Sequence, residues 1–478
     1  MPSNRLSRRS RSSLLVVVAS FLLTVSAAAD ERRMEEIAVG WIEAHNSGDV
    51  ATMAAYRAAH RKGAKDGWED QFREMVERLG RLEPTGVRVT DELELTLGVE
   101  SENAGPLRLV FRFRPDDPEQ VASISIDSGG PPNDLPPLRL EGERPAHVAA
   151  IDEYLSGLAA DDLFAGAVLI AEGEEVWFER AYGMASREFS VPNTVDTRFD
   201  IGSITKDFTR VAIAQLAAAG KLAPGDTVGE HLPDYPNARV RDEVTIEQLF
   251  AHRSGLGDYF TEEWRATPMD TLRQHTDYIE IWGPKELEYE PGSRSRYSNF
   301  GFTVLGAIID RASGQPYFDY VAEKIFAPAG MTASGFFPTD EIVPDVAVGY
   351  TYYDRNEELG ETLRKNTFLE PVVGGPWGKT YSTVRDLWRF WRALAAHRLT
   401  PAAYTPWVLL SGPVRAGERE PAKSEPIAEM ALGGGGPGLS SDLRVSGERV
   451  IVTLANLDFP IAQQVAERLA EALDGAVE

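Results

Sequence analysis

The sequence predicts a mixed α/β chain with two folded parts: a small α+β domain, then a larger domain whose antiparallel sheet is flanked by helices and joined by a mostly helical region. Three observations predict it. The hydrophobic period changes from helical to alternating between residues 30 and 127. A stretch rich in Pro and Gly follows at 128–145. Beyond it, apolar strands stand at both ends of residues 146–478, around a helix-rich and loop-rich middle. The size agrees, since 478 residues at roughly 150 per domain suggest two or three domains. A content of 43% hydrophobic and 9% aromatic residues suffices for sizeable cores.

Residues 1–29 read as a cleaved export signal. Arg5, Arg8, Arg9 and Arg11 form a basic leader ahead of an apolar run from Leu14 to Val25, and Ala27-Ala28-Ala29 supplies the small residues of a cleavage site. The run is shorter than the roughly 20 residues of a spanning helix, so no stable membrane anchor is expected after cleavage. The expected location is secreted or periplasmic, with the general and twin-arginine routes both open. Losing a leader with four Arg and no acid takes the formal charge from −25 to −29.

In 30–127, Met34, Ile37, Ala38, Trp41 and Ile42 recur at helical spacing, Asn46 to Asp49 break the pattern, and Trp68, Phe72, Met75, Val76 and Leu79 form a second stripe. After Pro84 the period is two, through Leu93, Leu95 and Leu97, then Leu107, Leu109, Phe111 and Phe113, then Ala122, Ile124 and Ile126. Helices followed by a strand meander describe a sheet buried on one face, an order similar to the NTF2-like fold. No acid/base constellation stands out there, so an accessory role is expected. Gly129-Gly130-Pro131-Pro132 and Pro136-Pro137 mark 128–145 as a linker. In 146–478, Ile151 to Leu158 reads as a helix, and Ala165 to Ile170 with Val176 to Ala181 as a hairpin through Gly173. Val450 to Leu454 is a strand and Ile461 to Leu473 an amphipathic helix, which places both ends of the domain in one sheet.

Two short motifs carry chemistry. Ser203 at a helix start and Lys206 three residues later lie on one face, one turn apart. A serine hydroxyl needs a base, and a desolvated lysine amine can serve where an arginine cannot. The free N–H groups of a helix start could also hold an oxyanion. Tyr297 and Asn299 follow a Pro-Gly turn and precede a helix, so a phenol able to relay a proton and an amide able to bind substrate can face one cleft. Either motif alone arises by chance about once in two or three such chains.

In order, Ser203-x-x-Lys206, Tyr297-x-Asn299 and a Gly-rich strand start at Gly433 to Gly438 resemble the serine β-lactamase and penicillin-binding-protein superfamily, most closely its class C β-lactamase and esterase branch. Flanking text agrees, in Phe164 to Leu169, Ala181-Tyr182-Gly183, Thr197-Arg198-Phe199, Leu249 to Leu256, Gly306 to Gly314 and Tyr381-Ser382-Thr383. The resemblance implies a β-lactamase-like fold for 146–478. It implies Ser203 as acylated nucleophile, Lys206 as activating amine, Tyr297 as proton shuttle, Asn299 as partner of substrate and Lys206, and the amides of Ser203 and Gly435 as oxyanion hole. The third motif departs from the family. Leu432 stands where a Lys or His normally assists the Tyr and helps hold a substrate carboxylate, and Leu can do neither. Lys379-Thr380 is a candidate substitute, though about 50 residues early. His252, in His252-x-Ser254-Gly255, reads as a structural corner.

Composition closes other routes. The chain has no cysteine, hence no disulfide, thiolate metal site or Cys nucleophile. A charge of −25 opposes a nucleic-acid partner. The seven His form no metal-binding pair, so no metal is expected, nor any other cofactor, and the absence of Gly-x-Ser-x-Gly argues against an α/β-hydrolase nucleophile elbow. The expected activity is hydrolysis of a small-molecule ester or amide, or of a cell-wall-type substrate. A β-lactamase or D,D-peptidase and a catalytically weakened binding protein are the alternatives.

Overall fold

The structure is a computed structural model that describes residues 32–61, 68–91, 93–103, 105–114, 117–128, 135–354, 359–409 and 429–476. The export signal read at 1–29 lies outside these residues. Among the described residues, no helix is long and apolar enough to cross a membrane.

The chain divides into two compact units at 133/134. The first has helices α1 (32–46), α2 (Val50–His60) and α3 (Trp68–Leu79), then strands β1 (Leu82–Asp91), β2 (Glu94–Ser101), β3 (Gly105–Arg114) and β4 (Asp117–Ser128). The strands form an antiparallel meander in sequence order. Met34, Trp41 and Phe72 from the helices meet Leu97, Leu109 and Phe111 from the sheet in one core. Helix α2 is absent from the sequence reading. The break at Asn46 to Asp49 is also a start, because Asp49 caps α2 by accepting from the N–H groups of Ala51 and Thr52. Strand β1 begins before Pro84, which an edge strand tolerates beside a register shift.

The second unit takes the latter part of the expected linker, from Asp134 on. Leu135 and Leu140 are buried among Ile151, Leu155 and the last helix, two anchors too sparse to show a period in the sequence. In order follow α4 (Arg144–Ala160), β5 (Gly166–Glu172), β6 (Glu175–Tyr182), α5 (Thr205–Ala218), α6 (Asn299–Ser313), α7 (Val384–Ala395), β7 (Glu429–Gly436), β8 (Leu439–Ser446), β9 (Arg449–Ala455) and α8 (Ile461–Asp474). The five strands form one antiparallel sheet of order β7-β8-β9-β5-β6. Val452 of β9 faces Leu169 of β5, so the two ends of the unit are joined at the sheet's centre. Gly166 to Ala171 in β5 are buried without alternation, because α4 and α8 cover one face and α5, α6 and α7 the other. Helix α5 is buried from Thr205 to Ala214, polar residues included.

The glycine run differs from expectation. Gly433 to Gly436 end β7, rather than start a strand, and Pro437 with Gly438 turns the chain into β8. Their strand pairing depends on β8, which local propensity does not report.

Candidate active site

Ser203 sits in a 3-10 turn (Gly202–Ile204) that leads directly into α5. Three hydrogen bonds hold this turn. The Gly202 N–H donates to Asp200 Oδ1 at 2.9 Å, the Ile201 N–H to the Thr380 carbonyl at 2.9 Å, and Ser441 Oγ to the Ile201 carbonyl at 2.8 Å.

Lys206, one helical turn on, is 2% exposed. Its Nζ lies 3.0 Å from Ser203 Oγ and donates to Asn299 Oδ1 at 2.7 Å and to the Trp377 carbonyl at 2.5 Å. Two acceptors that cannot donate take two N–H groups, so in the neutral amine the lone pair faces Ser203. Burial pushes the Lys206 pKa down to about 7, with Asp258 and Asp207 opposing and Arg210 reinforcing the shift.

Tyr297 reaches the same oxygen from the other side, its hydroxyl 2.7 Å from Ser203 Oγ. Its ring lies 4.8 Å from Lys206 Nζ and stacks on His252 at 4.6 Å. Burial of the hydroxyl raises its pKa above the usual phenol value, with the bond to Ser203 opposing. The side chain is 45% exposed overall, so one edge opens to solvent.

Asn299 opens α6, capped by Ser298 Oγ, which accepts from the Gly301 N–H at 3.0 Å. Asp258 Oδ2 accepts from both the N–H and the Nδ2 of Asn299, each at 2.9 Å. This fixes the amide with Oδ1 toward Lys206.

Strand β7 passes against the Ser203 turn closely enough to require glycine. A methyl group on Gly434 would stand 2.2 Å from the Ile201 carbonyl oxygen and 2.8 Å from the Ser203 nitrogen. Gly202, at φ 50°, is confined as well: a methyl there would fall 2.8 Å from Leu439 Cδ1 and 3.1 Å from the Gly435 nitrogen. The backbones of Ser203 and Gly435 therefore share one wall. Ser203, Tyr297, Asn299 and Gly435 line a cleft of about 210 Å³, and Lys206 lies buried beneath it.

Residues 151–433 match the Beta-lactamase family. The chain belongs to that family. A curated relative, the putative penicillin-binding protein PbpX of Bacillus subtilis (strain 168), is 35% identical over 249 residues, which span 52% of this chain and 58% of PbpX. A penicillin-binding protein from Bacillus halodurans has a similar structure, with TM-score 0.57 and 29% identity over 67% of this chain and 98% of that one. A class C β-lactamase shares the fold at TM-score 0.52 and 20% identity, over 68% of this chain and 96% of its own. The family is one of serine hydrolases built on the fold described above.

Within this β-lactamase-family site, three features escape the sequence reading. Asp258 is a lone loop carboxylate with no spacing signal, and the Trp377 carbonyl is backbone. Asp200 holds the Ser203 turn from a two-residue strand (Phe199–Asp200). His252 has φ 55°, accepts from the Ser298 N–H at Nδ1 and serves as the surface on which Tyr297 stacks. Burial, with the charges of Arg210 and Lys206, holds its pKa well below the usual value, so the ring is neutral.

Leu432 packs against the main core, and among the described residues the Tyr297 hydroxyl bonds only to Ser203. Lys379 does not replace the missing cation. Its Nζ donates to the Pro371 carbonyl at 2.6 Å, and Thr380 is bound to Thr205 beneath the Ser203 turn. Among the described residues, no three His, Asp or Glu side chains gather as metal ligands.

Proposed function

We propose that this β-lactamase-family protein is an exported serine hydrolase that cleaves carboxylic esters, or amides, through an acyl-enzyme on Ser203. The observation that carries the proposal is Ser203 Oγ held between Lys206 Nζ at 3.0 Å and Tyr297 OH at 2.7 Å. The neutral amine of Lys206 takes the Oγ proton as Oγ bonds to the carbonyl carbon. The oxyanion forms against the amides of Ser203 and Gly435. Its collapse breaks the bond to the alcohol or amine, which takes a proton from the Tyr297 hydroxyl, and Lys206 reprotonates the phenolate. Water then attacks the acyl carbon with the same groups in reverse roles, releasing the acid.

Leu432 turns the choice of substrate toward esters with no essential carboxylate. A β-lactam or a D-Ala-D-Ala terminus presents an anion, and Leu offers it neither charge nor hydrogen bond. Short p-nitrophenyl esters test the proposal. Wild type is expected to turn them over, with loss of about 10³-fold or more in both Ser203→Ala and Tyr297→Phe. Labelling of Ser203→Ala by a fluorophosphonate as well as wild type would refute the nucleophile. Nitrocefin hydrolysis or D-alanine release faster than ester turnover would favour the β-lactamase or peptidase reading, and no turnover at all a binding protein. Export is tested by the N-terminal sequence of the secreted protein, expected at Asp30.

A further inference from the structure

We propose that the cleft selects substrates carrying a cationic ammonium group, held by the Glu370 carboxylate among the aromatic side chains of Phe260, Trp264 and Phe368. This rests on the hydrolase reading above and names its substrate class.

Glu370 lines the catalytic cleft together with Ser203 and those three aromatics. A methyl group placed on Gly436, next to the proposed oxyanion residue, would lie 3.8 Å from Glu370 Oε1, so the carboxylate faces the reacting end of the cleft. Among the described residues, no hydrogen-bond donor and no ion pair reaches it. Lys379 acts electrostatically on Glu370 first and on Asp200 second while its ammonium donates to the Pro371 carbonyl, so one cation is divided between two carboxylates. The charged lining is Asp200, Asp354 and Glu370 against Arg265 and Lys379, an excess of carboxylate. Leu432 withholds the cation that would attract an anionic substrate.

The aromatic lining points the same way. Phe260 is 51% and Phe368 77% exposed at this cleft, while Trp264 is buried behind. Glu370 and Phe368 belong to one turn, and the Glu370 charge acts on Tyr259 and Tyr278 in the same aromatic cluster. Aromatic faces beside a carboxylate bind an onium group, which meets ring quadrupoles and a counter-charge together. Burial pushes the Glu370 carboxyl up to about 7, with Lys379 opposing and Asp200 reinforcing, so an arriving cation would favour its ionised form.

The test uses p-nitrophenyl esters whose acyl chains of four to six carbons end in trimethylammonium, its neutral isostere tert-butyl, or carboxylate, assayed at pH 8 and low salt. The cationic ester is expected to exceed the neutral one about tenfold in kcat/KM, mainly through KM, with the carboxylate ester poorest. In Glu370→Gln the cationic-to-neutral ratio is expected to fall at least fivefold. Equal use of the cationic and neutral esters by wild type, or an unchanged ratio in Glu370→Gln, overturns the proposal. Titration of the wild-type tryptophan fluorescence with phenethyltrimethylammonium and with 3-phenylpropionate reads binding without turnover or a variant. Tighter binding of the cation is expected, and equal or weaker binding overturns the proposal. Lack of ester turnover with the cation preference intact would defeat only the hydrolase reading.

Discussion

At the scale of single residues, the proposed chemistry turns on the protonation of Lys206. An ordinary lysine at 10.5 would be neutral in only about three molecules in ten thousand at pH 7, whereas burial brings this amine to about 7 and makes roughly half of them competent. For a neutral ester, kcat/KM is expected to rise about tenfold per pH unit below pH 7 and to level above it, and a pH–rate profile checks this. Asp258 holds the Lys206 pKa up, so Asp258→Asn is expected to move that acid limb to lower pH, and an upward move would contradict the electrostatic assignment. Lys206→Met is expected to lower kcat about 10²–10⁴-fold, the range of a lost general base. The same shift acts on stability. Between pH 7 and 10.5 the unfolded lysine binds a proton that the native one does not, so this group's contribution to stability rises with pH across that window. The variant is expected to flatten that rise in denaturant titrations.

At the scale of elements, the site is where β7 meets the turn before α5. Besides Ser441 Oγ, a methyl on Gly434 would meet two backbone atoms of that turn that cannot swing aside, so Gly434→Ala must lift the strand away from Ser203. Loss of an oxyanion donor typically costs about 10²–10³-fold in kcat. A loss of that size is expected, with far-UV circular dichroism retained. Gly433 provides the control. Its added methyl would press on the end of the Gln463 side chain at 3.3 Å and reach ordinary contact with the Ser441 carbonyl oxygen at 3.9 Å, and Gly433→Ala is expected to stay within about threefold of wild type. Equal kcat for the two variants would show that the close approach at 434 is not needed for catalysis.

At the scale of the whole molecule, the buried apolar residues of each unit come from its own segment. The first core spans Met34 to Val121, and the other two are drawn from Leu135 onward. A chain of residues 135–478 is therefore expected to fold cooperatively and keep ester turnover within about threefold of the full protein, by thermal melt and assay. Removing β9 and α8 is expected to abolish folding, because β9 is the strand that joins β5 to the rest of the sheet. The sequence by itself determined the features that depend on neighbours in the chain. The 2 and 3.6 periods defined three strands of the first unit's meander and the strands and helices at both ends of the second unit, and a spacing of three put Ser203 and Lys206 on one helical face. Tyr297 stood out locally as a candidate, but its pairing with Ser203, 94 residues away, was legible only through the resemblance to a known family. Tertiary structure alone decided the rest. Asp49 served both as breaker and cap, and two isolated leucines became part of a core. The glycine run became the end of a paired strand, and the lone carboxylates Asp258 and Glu370 acquired roles from side chains far away in the chain. Burial and charge depend on which distant segments pack together, and that packing set both the basicity of Lys206 and the character of its cleft.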